Sequence, residues 1–178
     1  INSICMEKIN SIPKAIIPKV FIETGFKEGE TTNIIMNSNL FTQIYSIELH
    51  KEYLDKKREK FNNTNVQLIC GDSGTEMSKL LDTLNEPCMF FLDAHGFGSI
   101  YPKIHNDQNI MPLENELNFL LNKINENTLI IIDDYLKIRS SRLFLNRKNK
   151  WVSKVSYEKL KKIISLERLN TFEIFGSN

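Results

Sequence analysis

The chain has 178 residues, which suits a single domain with enough apolar residues to form a core. Hydrophobic residues make up 41% of the chain and charged residues 25%, as is ordinary for a soluble globular protein. The formal net charge is +1, and no apolar run approaches the ~20 residues that cross a bilayer, so we expect no membrane contact.

Three cysteines, Cys5, Cys70 and Cys88, lie far apart in the sequence. No pair has the spacing of metal ligands, and an odd number argues against a disulfide framework, so we interpret them as small buried side chains in a reducing compartment. The N-terminus lacks the pattern of a signal peptide, and we expect a cytoplasmic protein. Because the chain begins with Ile rather than Met, we expect residues 1–178 to form one domain of a longer protein.

Short apolar and β-branched runs, each closed by polar or glycine residues, predict six strands. These strands lie at 20–23, 43–48, 65–70, 88–93, 129–133 and 171–175. Helical patterns lie at 3–11, 30–38, 51–61, 73–84, 112–125 and 156–169. We expect Ser73 and Glu76 to form a capping box at the start of the fourth helix. Strict alternation of strands and helices predicts an α/β fold: a Rossmann-like, doubly wound, mostly parallel sheet with helices on both faces, in three α/β/α layers.

Carboxylates stand at the ends of five predicted strands. They are Glu23, Glu48, Asp72, Asp93 and the pair Asp133-Asp134. The carboxyl ends of parallel strands share one edge, where the ligands of such sheets bind. A helix cap or a turn could account for any one of these acids. Because so many acids on one edge repel one another, the set as a whole favours a cationic ligand or a metal.

The segment after the first strand reads Glu-Thr-Gly-Phe-Lys-Glu-Gly-Glu-Thr-Thr over residues 23–32. Its two glycines allow the backbone to pass close to a ligand. The segment is not the dinucleotide-binding fingerprint, because Lys27 occupies the second small position and an acid precedes the turn. An acid at this place suits an ammonium group rather than a phosphate.

Residues 23–31 resemble the acidic-x-Gly-x-x-x-Gly motif of class I S-adenosylmethionine (SAM)-dependent methyltransferases, and the resemblance extends over residues 18–135. It implies that SAM is the cofactor, that Glu48 binds the two ribose hydroxyls, and that Asp72 and Ser73 contact the adenine. The cofactor-binding residues that it implies are Glu23, Thr24, Gly25, Gly29, Thr32, Glu48, Leu49, Asp72, Ser73 and Asp93.

Two acidic segments, Asp93-Ala94-His95 and Asp133-Asp134-Tyr135, follow the fourth and fifth strands. Three carboxylates at neighbouring strand ends offer the hard oxygen ligands that suit Mg²⁺. The two segments together resemble the metal-dependent O-methyltransferases of the macrocin type. That resemblance implies that Asp93, Asp133 and Asp134 bind the metal. Asp133 and Asp134 could instead end a strand and cap a helix.

The same resemblance implies that Asp93 and His95 are the catalytic residues. His95 stands where that family carries an acidic residue that is proposed to be the base. A neutral imidazole could accept a proton near pH 7. His95 could equally be a fourth metal ligand or a structural residue.

The resemblances imply methyl transfer by direct displacement to a small hydroxylated substrate, such as a sugar or a phenol. One alternative is a domain that keeps the fold, binds SAM or a nucleotide without catalysis, and serves as an interaction module. Another is methylation of a nucleic acid through the basic segment 136–168. Residues 136–178 hold 11 basic and 3 acidic side chains, but aromatic residues are not interleaved with them as a base-stacking surface needs, so a solvated helix face is favoured.

Two further expectations concern the ends of elements. Glu114 and Glu116 fall in the first turn of the helix at 112–125, where the helix dipole accounts for them.

The family fold ends with an antiparallel seventh strand, whereas only residues 176–178 follow the sixth predicted strand. An unpaired edge promotes association, so a homodimer or a further domain could cover it.

Overall fold

The structure is a computed structural model that describes residues 6, 9, 10, 12–94, 112–123 and 128–133. Several predicted features lie outside these residues. They are His95 and the loop around it, Asp134, the basic segment 136–168, the helix at 156–169, and the sixth strand with the edge beyond it.

Five parallel strands form one sheet. They are β1 (Val20–Thr24), β2 (Gln43–Glu48), β3 (Val66–Cys70), β4 (Cys88–Leu92) and β5 (Leu129–Ile132). Their order in the sheet is β3-β2-β1-β4-β5, so the chain moves outward in one direction from β1 and then returns to the other side of it. The predicted parallel, doubly wound sheet is therefore confirmed for these five strands.

The helices between the strands follow the predicted order. They are α1 (Glu30–Asn37), α2 (Lys51–Phe61), α3 (Ser73–Leu81) and α4 (Leu113–Lys123), with a 3₁₀ turn at Lys14–Ile16 that the sequence did not predict. Residues 6, 9 and 10 are helical, in agreement with the predicted helix at 3–11. Within the described part of the chain, no helix has both the length and the hydropathy to cross a membrane.

Two apolar clusters, one on each face of the sheet, explain why the strands are apolar throughout. Val20 and Ile22 of β1 lie in the cluster that includes Leu117 of α4. Phe21, between them, lies in the opposite cluster with Ile35 of α1. Because both faces are covered by helices, the predicted three-layer arrangement is confirmed.

The start of α3 differs from the prediction. The N-cap residue is Asp72, whose Oδ2 accepts a hydrogen bond from the Thr75 amide at 3.0 Å. Ser73 is the first residue of the helix, and Glu76 pairs with Lys79 at 2.7 Å. The predicted capping box of Ser73 and Glu76 is therefore wrong, because the helix begins at Ser73, one residue earlier than a motif with Ser73 as the N-cap requires.

Candidate functional site

The strand order reverses between β1 and β4, and ligands of open α/β sheets bind beyond the carboxyl ends of the strands at such a point. The parallel register pairs Thr24 with Ile47 on one side and with Leu92 on the other, and pairs Leu92 with Ile132. One residue further along, the same level of the sheet holds Glu48, Gly25, Asp93 and Asp133. Three carboxylates and one glycine thus form a row along the edge.

Backbone hydrogen bonds extend the sheet into this row. The Gly25 amide donates to the Ile47 carbonyl at 2.9 Å, and the Asp93 amide donates to the Thr24 carbonyl at 3.0 Å. The Asp133 amide donates to the Leu92 carbonyl at 3.1 Å. Because these backbone hydrogen bonds fix the ends of the strands, the side chains of Asp93 and Asp133 project from fixed positions.

Glu23 is buried beneath the edge and is only 2% exposed. Its carboxylate accepts hydrogen bonds from the Thr32 hydroxyl of α1 and the Ser46 hydroxyl of β2. Burial raises the pKa of Glu23 to about 7, against the opposing effect of these hydroxyls. Glu23 therefore ties β1 to α1 and β2, and direct contact of Glu23 or Thr32 with a cofactor stays a prediction.

The turn after β1 brings its backbone against the end of β4. Gly25 has φ +90°, and a Cβ atom there would lie 2.5 Å from the Asp93 carbonyl oxygen. Gly29, the N-cap of α1, has φ +68° and lies against the Phe26 ring. Lys27, at the second small position of the motif, also has positive φ, at 48°. The turn therefore adopts the backbone of a glycine-rich loop, although only two of these three positions are glycine.

Glu48 ends β2 with its two carboxylate oxygens held by different backbone amides. Oε2 accepts from the Lys27 amide at 2.8 Å, and Oε1 accepts from the His50 amide at 2.9 Å. The residue is 7% exposed, and the adjacent Leu49 is half-buried. The carboxylate thus has a fixed orientation between the first turn and the start of α2.

Asp72 and Ser73 differ in exposure. Asp72 is exposed and accepts hydrogen bonds from both the amide and the hydroxyl of Thr75, each at 3.0 Å. Ser73 is 6% exposed and faces inward. The adenine contact that the resemblance implies for these two residues stays a prediction.

The predicted metal ligands are only partly described. Asp93 and Asp133 follow the paired strands β4 and β5 and are half-buried. Among residues 12–94, 112–123 and 128–133, no three His, Cys, Asp or Glu side chains form a group that could hold a metal. Asp134, the third predicted ligand, and His95, the predicted base, lie outside the described residues, so the three-aspartate site stays a prediction.

Glu116 is an acidic residue of this region whose position the sequence analysis missed. It lies in the first turn of α4, is 1% exposed, and burial raises its pKa to about 7. The hydroxyls of Ser73 and Thr24 face it and lower that pKa, while the charge of Asp72 raises it. The helix dipole alone therefore does not account for Glu116, because the residue is enclosed below the end of β1.

No family model matches the chain, and no curated protein matches it. Solved structures do match. The methyltransferase domain of bacterial CtHen1-CN aligns with a TM-score of 0.52 and 15% identity, over 89% of this chain and 81% of that one. This chain has the fold of a methyltransferase domain.

Two more methyltransferase-fold structures align with TM-scores of 0.48. One is a SAM-dependent methyltransferase from Clostridium acetobutylicum, with 18% identity over 77% of this chain and 51% of that chain. The other is a proposed methyltransferase from Streptococcus mutans in complex with S-adenosylhomocysteine (SAH), with 17% identity over 82% of each chain. The chain thus spans about half the length of the Clostridium protein.

Two polar residues near the edge, Ser46 and Glu116, were not predicted as site residues. Each interrupts an apolar pattern in the sequence, which could have indicated its burial. Ser46 alternates with Ile44 and Glu48 on one face of β2. Glu116 falls beside Leu117 on the helical stripe that also contains Leu113 and Leu120. A polar residue inside an apolar pattern predicts burial with a specific partner.

Proposed function

We propose that this domain binds SAM and transfers its methyl group to a hydroxyl of a small substrate, with the help of a divalent metal. The observation that carries the proposal is the row of Glu48, Gly25, Asp93 and Asp133 at the switch point of a methyltransferase fold. SAM carries a sulfonium and an ammonium group. Three carboxylates around a residue without a side chain favour a ligand with two positive charges.

The geometry of Glu48 supports binding of the ribose. Each oxygen of its carboxylate is held by one backbone amide and keeps a further lone pair that can accept a hydrogen bond. Two hydroxyls on adjacent ribose carbons match two oxygens with fixed positions. Since Leu49 is half-buried next to them, it offers an apolar surface to the same part of the ligand.

The first turn supports binding of the methionine part of SAM. Phe26 is buried against Phe61, with ring centroids 5.7 Å apart, so the side chain of the turn points into the protein. The backbone of Gly25 is therefore the group that faces the edge. Because Gly25 has no Cβ, this backbone packs directly against the Asp93 carbonyl, which brings the first turn beside the end of β4 where the ligand would lie.

The donor set at β4 and β5 fits a divalent metal, because carboxylate oxygens are the ligands that Mg²⁺ prefers. Asp93 and Asp133, together with Asp134, would hold the ion. When bound, it would act as a Lewis acid towards the substrate hydroxyl and lower the pKa of that hydroxyl.

His95, two residues after Asp93, would accept the proton of the substrate hydroxyl. The substrate oxygen then forms a bond to the methyl carbon while the bond from that carbon to sulfur breaks. The electron pair of the broken bond stays on sulfur, which gives SAH and a methyl ether. The protein contributes mainly the in-line placement of the two reactants.

Calorimetric titration with SAM and SAH tests the binding proposal. We expect both to bind, and Glu48→Gln to weaken them by about tenfold or more, because an amide nitrogen cannot accept from a ribose hydroxyl. Glu59→Gln, an equivalent change at an exposed position on α2, should leave the affinity unchanged. Equal affinities of the two variants, or no binding by the unaltered protein, would contradict the proposal.

Methyl transfer is tested with SAM labelled in the methyl group and a panel of phenols and sugars, with Mg²⁺ and with a chelator. We expect methyl transfer in the presence of Mg²⁺ and none in the presence of the chelator, while the affinity of the protein for SAH is the same in both. Binding of SAM without transfer to any acceptor would favour a non-catalytic SAM-binding module. Transfer to RNA or DNA that weakens steeply with salt would instead indicate a nucleic-acid substrate.

A further inference from the structure

Lys27 is the residue of the first turn whose backbone conformation disagrees with its residue type. Its φ of 48° lies in the left-handed region, which costs free energy for a residue with a Cβ atom. Among the described residues, the other non-glycine residues with positive φ are Asn39 and Asn63, and asparagine tolerates this region. A strained lysine beside a candidate site calls for a functional explanation of the side chain that is kept there.

Hydrogen bonds and packing hold the backbone of Lys27 at the carboxyl edge. Its amide donates to Glu48 Oε2 at 2.8 Å. The turn is closed by the Gly29 amide, which donates to the Phe26 carbonyl at 2.7 Å, and Phe26 is anchored against Phe61. Lys27 is therefore fixed directly beside the carboxylate of the proposed ribose site.

The positive charge of Lys27 is not used within the described part of the chain. Its side chain is exposed and forms no ion pair with another described residue. The neighbouring charges are already engaged, since Glu28 pairs with Lys57 at 3.5 Å and Lys51 pairs with Asp55. The ammonium group of Lys27 is thus available to a ligand at this edge.

We propose that Lys27 binds the carboxylate of the methionine part of SAM. This inference rests on the proposed function. The carboxylate is the one anionic group of SAM, and the acids of the row, Glu48, Asp93 and Asp133, repel it. Lys27 supplies a positive charge at the first turn, where the methionine part is proposed to lie.

The side chain of lysine suits this contact. It is long and flexible and carries a compact positive charge, so it can turn towards a carboxylate near the turn. A hydrogen bond between an ammonium group and a carboxylate is charge-assisted and stronger than a neutral one. Glu48 and Lys27, joined by the bond from the Lys27 amide, would then hold SAM at its ribose and at its carboxylate.

This role explains why the turn keeps a lysine where glycine would be unstrained. A residue that is retained for function at a cost in stability shows a trade-off between the two. Replacing it by glycine removes the strain and the charge together, so stability and affinity should change in opposite directions. A residue with a merely structural role would not separate them.

The test compares SAH with decarboxylated SAH, which keeps the adenosine, the sulfur and the ammonium group. By calorimetric titration, we expect Lys27→Gln to weaken SAH about three- to tenfold, as for loss of one charge-assisted hydrogen bond, and to leave decarboxylated SAH unchanged. Lys27→Arg should retain the affinity for SAH, because it keeps the charge. Lys56→Gln, an equivalent change at an exposed position on α2, should follow the unaltered protein with both ligands.

Lys27→Gly supplies a second measurement. We expect its melting temperature to rise above that of the unaltered protein, because glycine adopts positive φ without strain, while its affinity for SAH falls as in Lys27→Gln. Unchanged or tighter binding of SAH by Lys27→Gly would overturn the inference.

The ligand pair separates failure of this inference from failure of the proposed function. If the unaltered protein binds SAH, but Lys27→Gln weakens neither ligand or weakens both equally, Lys27 does not bind the carboxylate and the SAM site stands. If the unaltered protein binds neither SAH nor decarboxylated SAH, the proposed function is contradicted and the inference falls with it.

Discussion

A Cβ atom placed on Gly25 would lie 2.5 Å from the carbonyl oxygen of Asp93. Two strand ends that are far apart in the sequence thus touch through their backbones at the point where the strand order reverses. This contact sets the first turn directly beside the end of β4, between Glu48 at the end of β2 and Asp133 after β5.

Gly25→Ala tests this contact. The alanine would meet backbone atoms of Asp93 and would have to adopt φ +90°, so we expect the free energy of unfolding to fall by about 2–4 kcal/mol and SAM binding to be lost. Gly74→Ala is the matched control, since its Cβ makes ordinary contacts at 3.4 and 3.5 Å and lies in helix α3. Denaturant unfolding of both variants checks the prediction, and equal stabilities would contradict it.

Lys27→Gly should stabilise the protein. Lys27 holds φ 48°, where an L side chain is strained and glycine is not. Allowing for the greater freedom of glycine in the unfolded chain, we expect a gain of about 0.5–1 kcal/mol in the free energy of unfolding. Lys56→Gly, in the middle of α2, should lose about 1 kcal/mol instead. A loss of stability at both positions would show that the turn does not need positive φ.

Two substitutions distinguish the observed Asp72 cap at the start of α3 from the Ser73–Glu76 capping box that the sequence predicts. Asp72→Ala should lower the free energy of unfolding by about 1 kcal/mol, because the Thr75 amide loses its acceptor, and Asp72→Asn should restore most of it. Glu76→Ala should cost only a few tenths of a kcal/mol, as for loss of an exposed ion pair. Thermal or denaturant unfolding measures these changes. A larger loss of unfolding free energy for Glu76→Ala than for Asp72→Ala would favour the capping box over the Asp72 cap.

Stability should fall as the pH rises from 4.5 to 7 because of two buried acids. Burial raises the pKa of both Glu23 and Glu116 from 4.5 to about 7, so the folded state keeps protons that the unfolded chain releases in this range. The stabilisation is complete below pH 4.5, is lost as the pH approaches 7, and amounts to at most about 3 kcal/mol for each group.

Glu23→Gln and Glu116→Gln check this pH dependence. Each variant should show a shallower decline of the free energy of unfolding between pH 5 and pH 7.5 than the unaltered protein, while Glu59→Gln should show the same decline. A variant that loses stability with pH as steeply as the unaltered protein would mean that its acid is not buried in solution.

The strands and their alternation with helices along the chain could be predicted because each strand is a short apolar run between helical patterns, and β1 is buried on both faces. The row of acids could be predicted for the same reason, since parallel strands end at one edge. The burial of Glu116 depends on how α4 packs against α3 and β1, which local sequence does not determine. The predicted cap of α3 was wrong by one residue, because Asp72 and Ser73 are both good N-cap residues and the local sequence does not decide between them.

The most direct test of the account is the mapping of SAH onto the backbone amides by ¹H–¹⁵N NMR. The account predicts the largest chemical-shift changes at Gly25, Lys27, His50 and Gly71, which lie at the carboxyl edge. The amides of Val20 and Cys88, at the opposite ends of β1 and β4, should stay unchanged. Changes centred on those opposite ends, or no change at saturating SAH, would contradict a SAM site at the β1–β4 switch point.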